Sequence, residues 1–84
     1  MIKKEFKLVN DLGLHSRAAA QFVQLTNKYV SQIDIIKSTS KIDGKSIMGI
    51  LCLGIGKEDT ITIEVNGIDE DEAIQAIENL INEL

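Results

Sequence analysis

Ile2, Lys4, Phe6 and Leu8 alternate with Lys3, Glu5, Lys7 and Val9, a period of two that predicts a strand with one face turned inward. Asn10-Asp11-Leu12-Gly13 ends it. From Ser16 to about Lys28 the spacing changes, with Ala19, Phe22, Val23 and Thr26 three or four positions apart. Ala18, Ala19 and Ala20 favour helix there, and Ser16 offers a capping hydroxyl. The β-branched segment Ser31 to Lys37, with Ile33, Ile35 and Ile36, predicts a second strand. Thr39 to Ile42 predicts a third, reached through a tight turn near Ser38. Ser46 then stands before Ile47 to Leu53, an apolar segment expected as a helix of about two turns despite Gly49. Thr60 to Val65 alternates again, with Ile61, Ile63 and Val65 on one face, and Gly67 closes that strand. Asp69 to Leu84 carries Ala73, Ile74, Ile77, Leu80, Ile81 and Leu84 on one helical stripe. Its start, Asp69-Glu70-Asp71-Glu72, suits the positive end of a helix dipole and is otherwise expected to be solvated.

The order β-α-β-β-α-β-α implies an α+β fold, a two-layer open-faced sandwich. Three helices cover one face of a four-stranded antiparallel sheet and leave the other wet. Residues 1–84 fit a single domain, and a chain this short buries only about 60–65% of its unfolded surface. No repeat or linker interrupts the pattern, proline is absent, and six glycines supply the punctuation.

Composition narrows the function. Hydrophobic residues at 44% and charged residues at 26% suit a soluble globular protein. Nine basic and thirteen acidic residues give a net charge of −4, no basic footprint for nucleic acid, and Phe6, Phe22 and Tyr29 make no base-stacking platform. Cys52 has no partner for an internal disulfide, and with one histidine no structural metal site is expected. No cofactor is expected either. The longest apolar run, Ile47 to Ile55, is too short to span a membrane, and Met1 to Glu5 leads into no signal-peptide core. The expected location is the cytoplasm.

The densest group of candidate chemistry is Gly13-Leu14-His15-Ser16-Arg17, at the junction of the first strand and first helix. A histidine there lies beside unpaired helix N–H groups, which stabilise an anion carried on its ring. Arg17 adds a planar fork of donors suited to phosphate oxygens. Neutral imidazole attacking phosphorus, with amides and a guanidinium holding the product, makes a phosphoryl acceptor. The plainer alternative is a solvated loop histidine and a surface arginine. Ser46 has two readings as well, a helix cap or a modification site. Ile47, Met48 and Leu51 are either core or an exposed contact patch, while Ile50 and Leu53 are expected in the core and Cys52 as a packing residue.

Gly13-Leu14-His15-Ser16-Arg17-Ala18-Ala19 closely resembles the active-site segment of the HPr family, the histidine-containing phosphocarriers of the bacterial phosphoenolpyruvate-dependent sugar phosphotransferase system. Gly44 to Leu51 is similar to that family's regulatory-serine segment, and Gly67 to Ala73 to the entry of its last helix. The resemblance implies a stoichiometric carrier rather than an enzyme. His15 would accept a phosphoryl group on Nδ1 from phospho-enzyme I, charged by phosphoenolpyruvate, and pass it to an enzyme IIA component or a regulatory relative. It implies that Arg17 holds the phosphoryl oxygens. Ser46 would be the target of an HPr kinase/phosphorylase where one exists, and Ile47, Met48 and Leu51 would meet partners. A monomer is expected.

Two positions depart from the family pattern. Ser16 stands where alanine is usual, placing a hydroxyl beside the phosphoryl site. Ala18 stands where proline is usual, restoring a backbone N–H. Two other functions remain open at this point. One is a regulatory module docking through Ser46, Ile47 and Met48, although HPr-like proteins of that kind lack the histidine. The other is a small metabolite- or metal-binding domain, for which the sequence offers neither ligand clusters nor a glycine-rich phosphate loop.

Overall fold

The structure is a computed structural model that describes all 84 residues. Its elements run β1 (Ile2–Lys7), α1 (Ser16–Thr26), β2 (Gln32–Lys37), β3 (Ser40–Asp43), α2 (Ile47–Leu53), β4 (Thr60–Asn66) and α3 (Glu70–Glu83). The sheet order is β1-β4-β2-β3 and every neighbouring pair is antiparallel. β4 therefore lies between β1 and β2, which are joined through α1. β2 in turn lies between β3 and β4, which are joined through α2. Both helical connections are split β-α-β units, closed by inserting a strand rather than by pairing consecutive ones. The expected α+β open-faced sandwich is the architecture found.

The two faces follow the alternation. Ile2, Val65 and Ile33 fall in one register row, Phe6 and Ile61 in another, and Lys4, Ile63, Ile35 and Ile42 in a third. These rows face the helices, where Phe22 of α1, Ile50 of α2 and Ala73, Ile77 and Ile81 of α3 complete one core with Leu8, Leu14 and Ile55. Lys4 is the polar member of this inward set. At the sheet edge its ammonium reaches Glu78 of α3 at 2.5 Å and lies 5.7 Å from the Phe6 ring centroid, so the stem packs while the charge stays paired.

On the open face, Glu64 sits beneath Lys3 and Lys41, with Nζ–O distances of 3.1 and 3.0 Å. Hydrogen bonds from Lys41 and Lys3 hold its carboxyl below the ordinary value of 4.5, and the pairing raises Lys41 in return. That face is wet but ordered by charge.

Several boundaries and roles differ from the sequence reading. Ser16 does not cap α1: the cap is His15, extended at φ −70° and ψ 178°, and Ser16 is the first helical residue. Gly13, at φ +57°, turns the chain so that Leu14 is buried and His15 becomes the last extended residue. α1 ends at Thr26 rather than near Lys28, since Asn27 caps it. β3 begins at Ser40, because Ser38 and Thr39 form the hairpin loop and Ser38 adopts φ +55°. Cys52 is exposed rather than packed. In the short α2 only Ile50 is fully buried, and Cys52 lies one turn beyond exposed Met48.

The acidic start of α3 does more than face water. Asp69 accepts hydrogen bonds from the N–H groups of Val30 and Ser31, at 2.9 and 3.0 Å, and from the Ser31 hydroxyl. Glu70 accepts from the Gly67 N–H at 3.1 Å and pairs with the N-terminal ammonium. The Ser31 hydroxyl bond, followed by the backbone donors, holds the Asp69 carboxyl below 3.8, and the Gly67 N–H does the same for Glu70 below 4.5. Fully buried Thr26 makes a comparable tie, donating its hydroxyl to the Gly44 carbonyl at 2.9 Å and joining α1 to the turn before α2.

Because the folded-state values of Asp59, Glu64, Asp69 and Glu70 are depressed, the stability they contribute is complete above their unfolded values and is lost as pH falls through the folded ones. Urea midpoints are expected to hold steady down to about pH 5 and then decline. Asp69→Ala should lower the midpoint at neutral pH and flatten the acid limb, whereas Asp71→Ala should do neither. Thr26→Val should cost about 1–2 kcal/mol in urea unfolding, since it leaves a buried carbonyl without its donor.

Candidate functional site

The site is built where the β1–α1 loop meets the end of α2. Asn10 shapes the loop from within: its carbonyl accepts from the Gly13 N–H at 3.2 Å, and its side-chain amide donates to the Gly13 carbonyl at 2.9 Å. Beyond Gly13 the Leu14 N–H donates to the Ile55 carbonyl at 3.0 Å. A β-carbon on Gly13 would fall 2.5 Å from that same oxygen and 2.6 Å from the Gly56 α-carbon. The glycine is required by both its dihedral and its neighbours.

His15 emerges half-buried from this junction, and its carbonyl accepts the first α1 hydrogen bond, from the Ala19 N–H at 2.8 Å. Its side chain makes no capping hydrogen bond. The N–H groups of Ser16, Arg17 and Ala18 have no acceptor in the protein, the free donors every helix start leaves. Ser16 and Arg17 are exposed, and Arg17 pairs with no carboxylate. Ala18 is 1% exposed, backbone included, so its methyl packs in the core and its N–H is covered at the helix start. The structure thus brings His15, Ser16, Arg17 and the Ala18 N–H together at one helix end.

Ser46 lies elsewhere, at the start of α2. Extended at φ −111° and ψ 114°, it caps the helix, and its Oγ accepts from the Gly49 N–H at 3.2 Å. This bond offsets the low helical propensity of Gly49, where a β-carbon would meet Ile42 only at an ordinary contact distance of 3.5 Å. Ile47, Met48 and Leu51 are 37%, 67% and 39% exposed while Ile50 is fully buried and Leu53 packs partly against the core. For these five residues the division between surface and core falls where the sequence reading put it, whereas Cys52 is exposed against that reading.

Charge is sorted across the molecule. Residues 12–33 and 44–57, which hold α1, α2 and their approaches, contain no aspartate or glutamate. Their cations are Arg17, Lys28, Lys45 and Lys57; Lys45 is spent on the Tyr29 carbonyl at 2.7 Å and Lys57 on Asp11 at 3.2 Å. Sequence reasoning missed Lys37 and Asp59. Lys37 Nζ donates to the carbonyls of Leu53 and Gly54, at 3.3 and 2.9 Å, and pairs with Asp59 at 3.0 Å. These contacts span sixteen or more positions, and no local pattern signals them. No group of side chains is arranged to hold a metal ion, and no helix is long and apolar enough to cross a membrane.

Comparison with known proteins gives the same family from sequence and from fold. Residues 2–83 match the family model described as PTS HPr component phosphorylation site. The phosphocarrier protein HPr of Neisseria meningitidis is 40% identical over 82 residues, covering 98% of this chain and 92% of that protein. The HPr-like protein Crh of Halalkalibacterium halodurans is 43% identical over 77 residues, 92% of each chain. The crystal structure of HPr-C-His from Thermoanaerobacter tengcongensis superposes with a TM-score of 0.96 at 41% identity, covering 99% of this chain and 93% of that one. The chain belongs to the HPr family, the phosphocarrier proteins of the phosphotransferase system, which relay a phosphoryl group and are not enzymes.

Proposed function

We propose that His15 is the phosphoryl acceptor and that the chain carries the group from phospho-enzyme I to an enzyme IIA component of a sugar transporter, or to a regulatory relative, in the cytoplasm. The observation that carries this reading is His15 at the cap of α1, followed directly by three N–H groups without acceptors. The lone pair of Nδ1 attacks the phosphorus of the donor's phosphohistidine. A new N–P bond forms as the old one breaks, and the donor ring leaves with the bonding pair. The transferred oxygens then meet the exposed Ser16 and Arg17 amides, the Arg17 guanidinium and the Ser16 hydroxyl. Those donors are in place before transfer, so little reorganisation accompanies it. The second transfer reverses these roles on the acceptor protein.

Docking involves the exposed side chains of Ile47, Met48 and Leu51 beside this site. Methionine adapts to more than one partner surface, and the absence of carboxylates from α1 and α2 favours partners whose own faces are acidic. Ser46 is the regulatory position, phosphorylated by an HPr kinase/phosphorylase where the organism has one. As the cap of α2 it receives a phosphate at a helix start, where the dipole tolerates it. Modification therefore acts on the approach of an acidic partner more than on the fold.

Incubation with phosphoenolpyruvate and a bacterial enzyme I should add one acid-labile phosphoryl group to the intact mass. His15→Ala should abolish the gain, and Arg17→Gln should slow it roughly 10- to 100-fold. A folded chain that gains no phosphoryl group from several enzyme I proteins would overturn the carrier reading in favour of a docking module. Ser46→Asp should leave the thermal midpoint nearly unchanged while raising the KM of enzyme I for this protein roughly three- to tenfold, less at high salt.

A further inference from the structure

We propose that Lys37 and Asp59 form a charged clamp that positions His15 for transfer, an inference that rests on the carrier reading above. Neither residue touches the site. Lys37 leaves the end of β2, and its ammonium meets the carbonyls of Leu53, the last residue of α2, and of its cap Gly54, together with Asp59 Oδ2. That same Oδ2 accepts from the Gly56 N–H at 2.7 Å, and the Asp59 N–H returns a bond to the Gly56 carbonyl at 3.2 Å. Residues 53–56 are thus held from both ends by one ion pair. In the middle of that stretch, Ile55 presents the carbonyl that accepts from Leu14 N–H, and the Gly56 backbone lies against Gly13.

The chain of contacts to the reacting atom is short. Asp59 fixes Gly56, Gly56 and Ile55 fix Gly13 and Leu14, and Leu14 precedes the residue whose ring would take the phosphoryl group. The segment carrying the load has glycine at positions 54 and 56, with Gly54 at φ +62°, so its own backbone is permissive and its position depends on what holds it. The clamp is half-shielded, with side-chain exposures of 28% and 35% for Lys37 and Asp59, and both partners have further hydrogen bonds that keep them in register. An isolated surface pair would add little. This one closes on three backbone groups and so converts charge into loop geometry.

The test compares Lys37→Met, Asp59→Asn and the double variant with the native chain in phosphoryl transfer from enzyme I, separating kcat from KM. Lys41→Met, which breaks an ion pair on the open face of the sheet, serves as the control. A positioning clamp predicts a kcat loss of roughly threefold to thirtyfold in each single variant. The double variant should be no worse than the poorer single, Lys37→Arg should recover most of the rate, and Lys41→Met should leave it unchanged. In 15N-resolved NMR spectra the Leu14 to Ala18 amides should shift in the clamp variants and stay in place in the control. Native kcat with unmoved Leu14–Ala18 resonances would overturn the proposal whatever happens to the melting temperature, as would a loss confined to KM. If Lys37→Met does not fold, Asp59→Asn decides alone, since it removes the charge and keeps an acceptor for Gly56. Should the native chain itself take no phosphoryl group, the carrier reading falls, and the amide shifts still tell whether the clamp governs the His15 loop.

Discussion

At Gly13 and Gly56 two backbones approach with no side chain between them, and the placement of the site follows from that approach. A β-carbon on Gly13 would overlap the Ile55 carbonyl and the Gly56 backbone, so the β1–α1 loop and the end of α2 are in contact only because position 13 is glycine. The Leu14–Ile55 hydrogen bond then aligns them, and burial of both side chains seals the junction with apolar area. The candidate site is hung from this seam: His15 and the open start of α1 on one side, the exposed edge of α2 on the other. Backbone geometry rather than a polar network brings the two together.

Much of this was legible in the sequence because it was periodic or local. Alternation over β1 and β4 assigned Ile61, Ile63 and Val65 to the core, and the α3 stripe did the same for Ala73, Ile77 and Ile81. The candidate site was legible as a contiguous stretch, since Gly13 through Ala18 occupy one turn of chain. What escaped was of two kinds. α2 is seven residues long and apolar all round, so it offers no stripe from which to orient Cys52. The other kind is distance along the chain. Asp69 bonds to Ser31 across 38 positions and Lys37 to Gly54 across 17, and an acidic run or a lone lysine does not announce a partner so far away. The misassigned cap at Ser16 shows a third limit: the residue type was suitable, but with the left-handed turn at Gly13 the cap falls one residue earlier, at His15.

The structural role of Ser46 leaves room for the regulatory one proposed for it. Its hydroxyl oxygen is occupied as an acceptor by the Gly49 N–H, yet the hydroxyl proton is not committed to any acceptor within the protein, and the side chain is only half-buried. A phosphate ester there retains an oxygen for the same N–H, so capping and modification do not compete.

The sorting of charge has a consequence beyond any single contact. All thirteen side-chain carboxylates fall outside residues 12–33 and 44–57, so the protein is an electric dipole whose positive pole lies on the side of α1 and α2. In the field of an acidic partner such a molecule experiences a torque as well as a force. It rotates to present that pole before contact, which widens the range of productive approaches and makes the association rate fall with ionic strength. A chain with a net charge of −4 can thereby be drawn toward a negative surface in one orientation and repelled in the others.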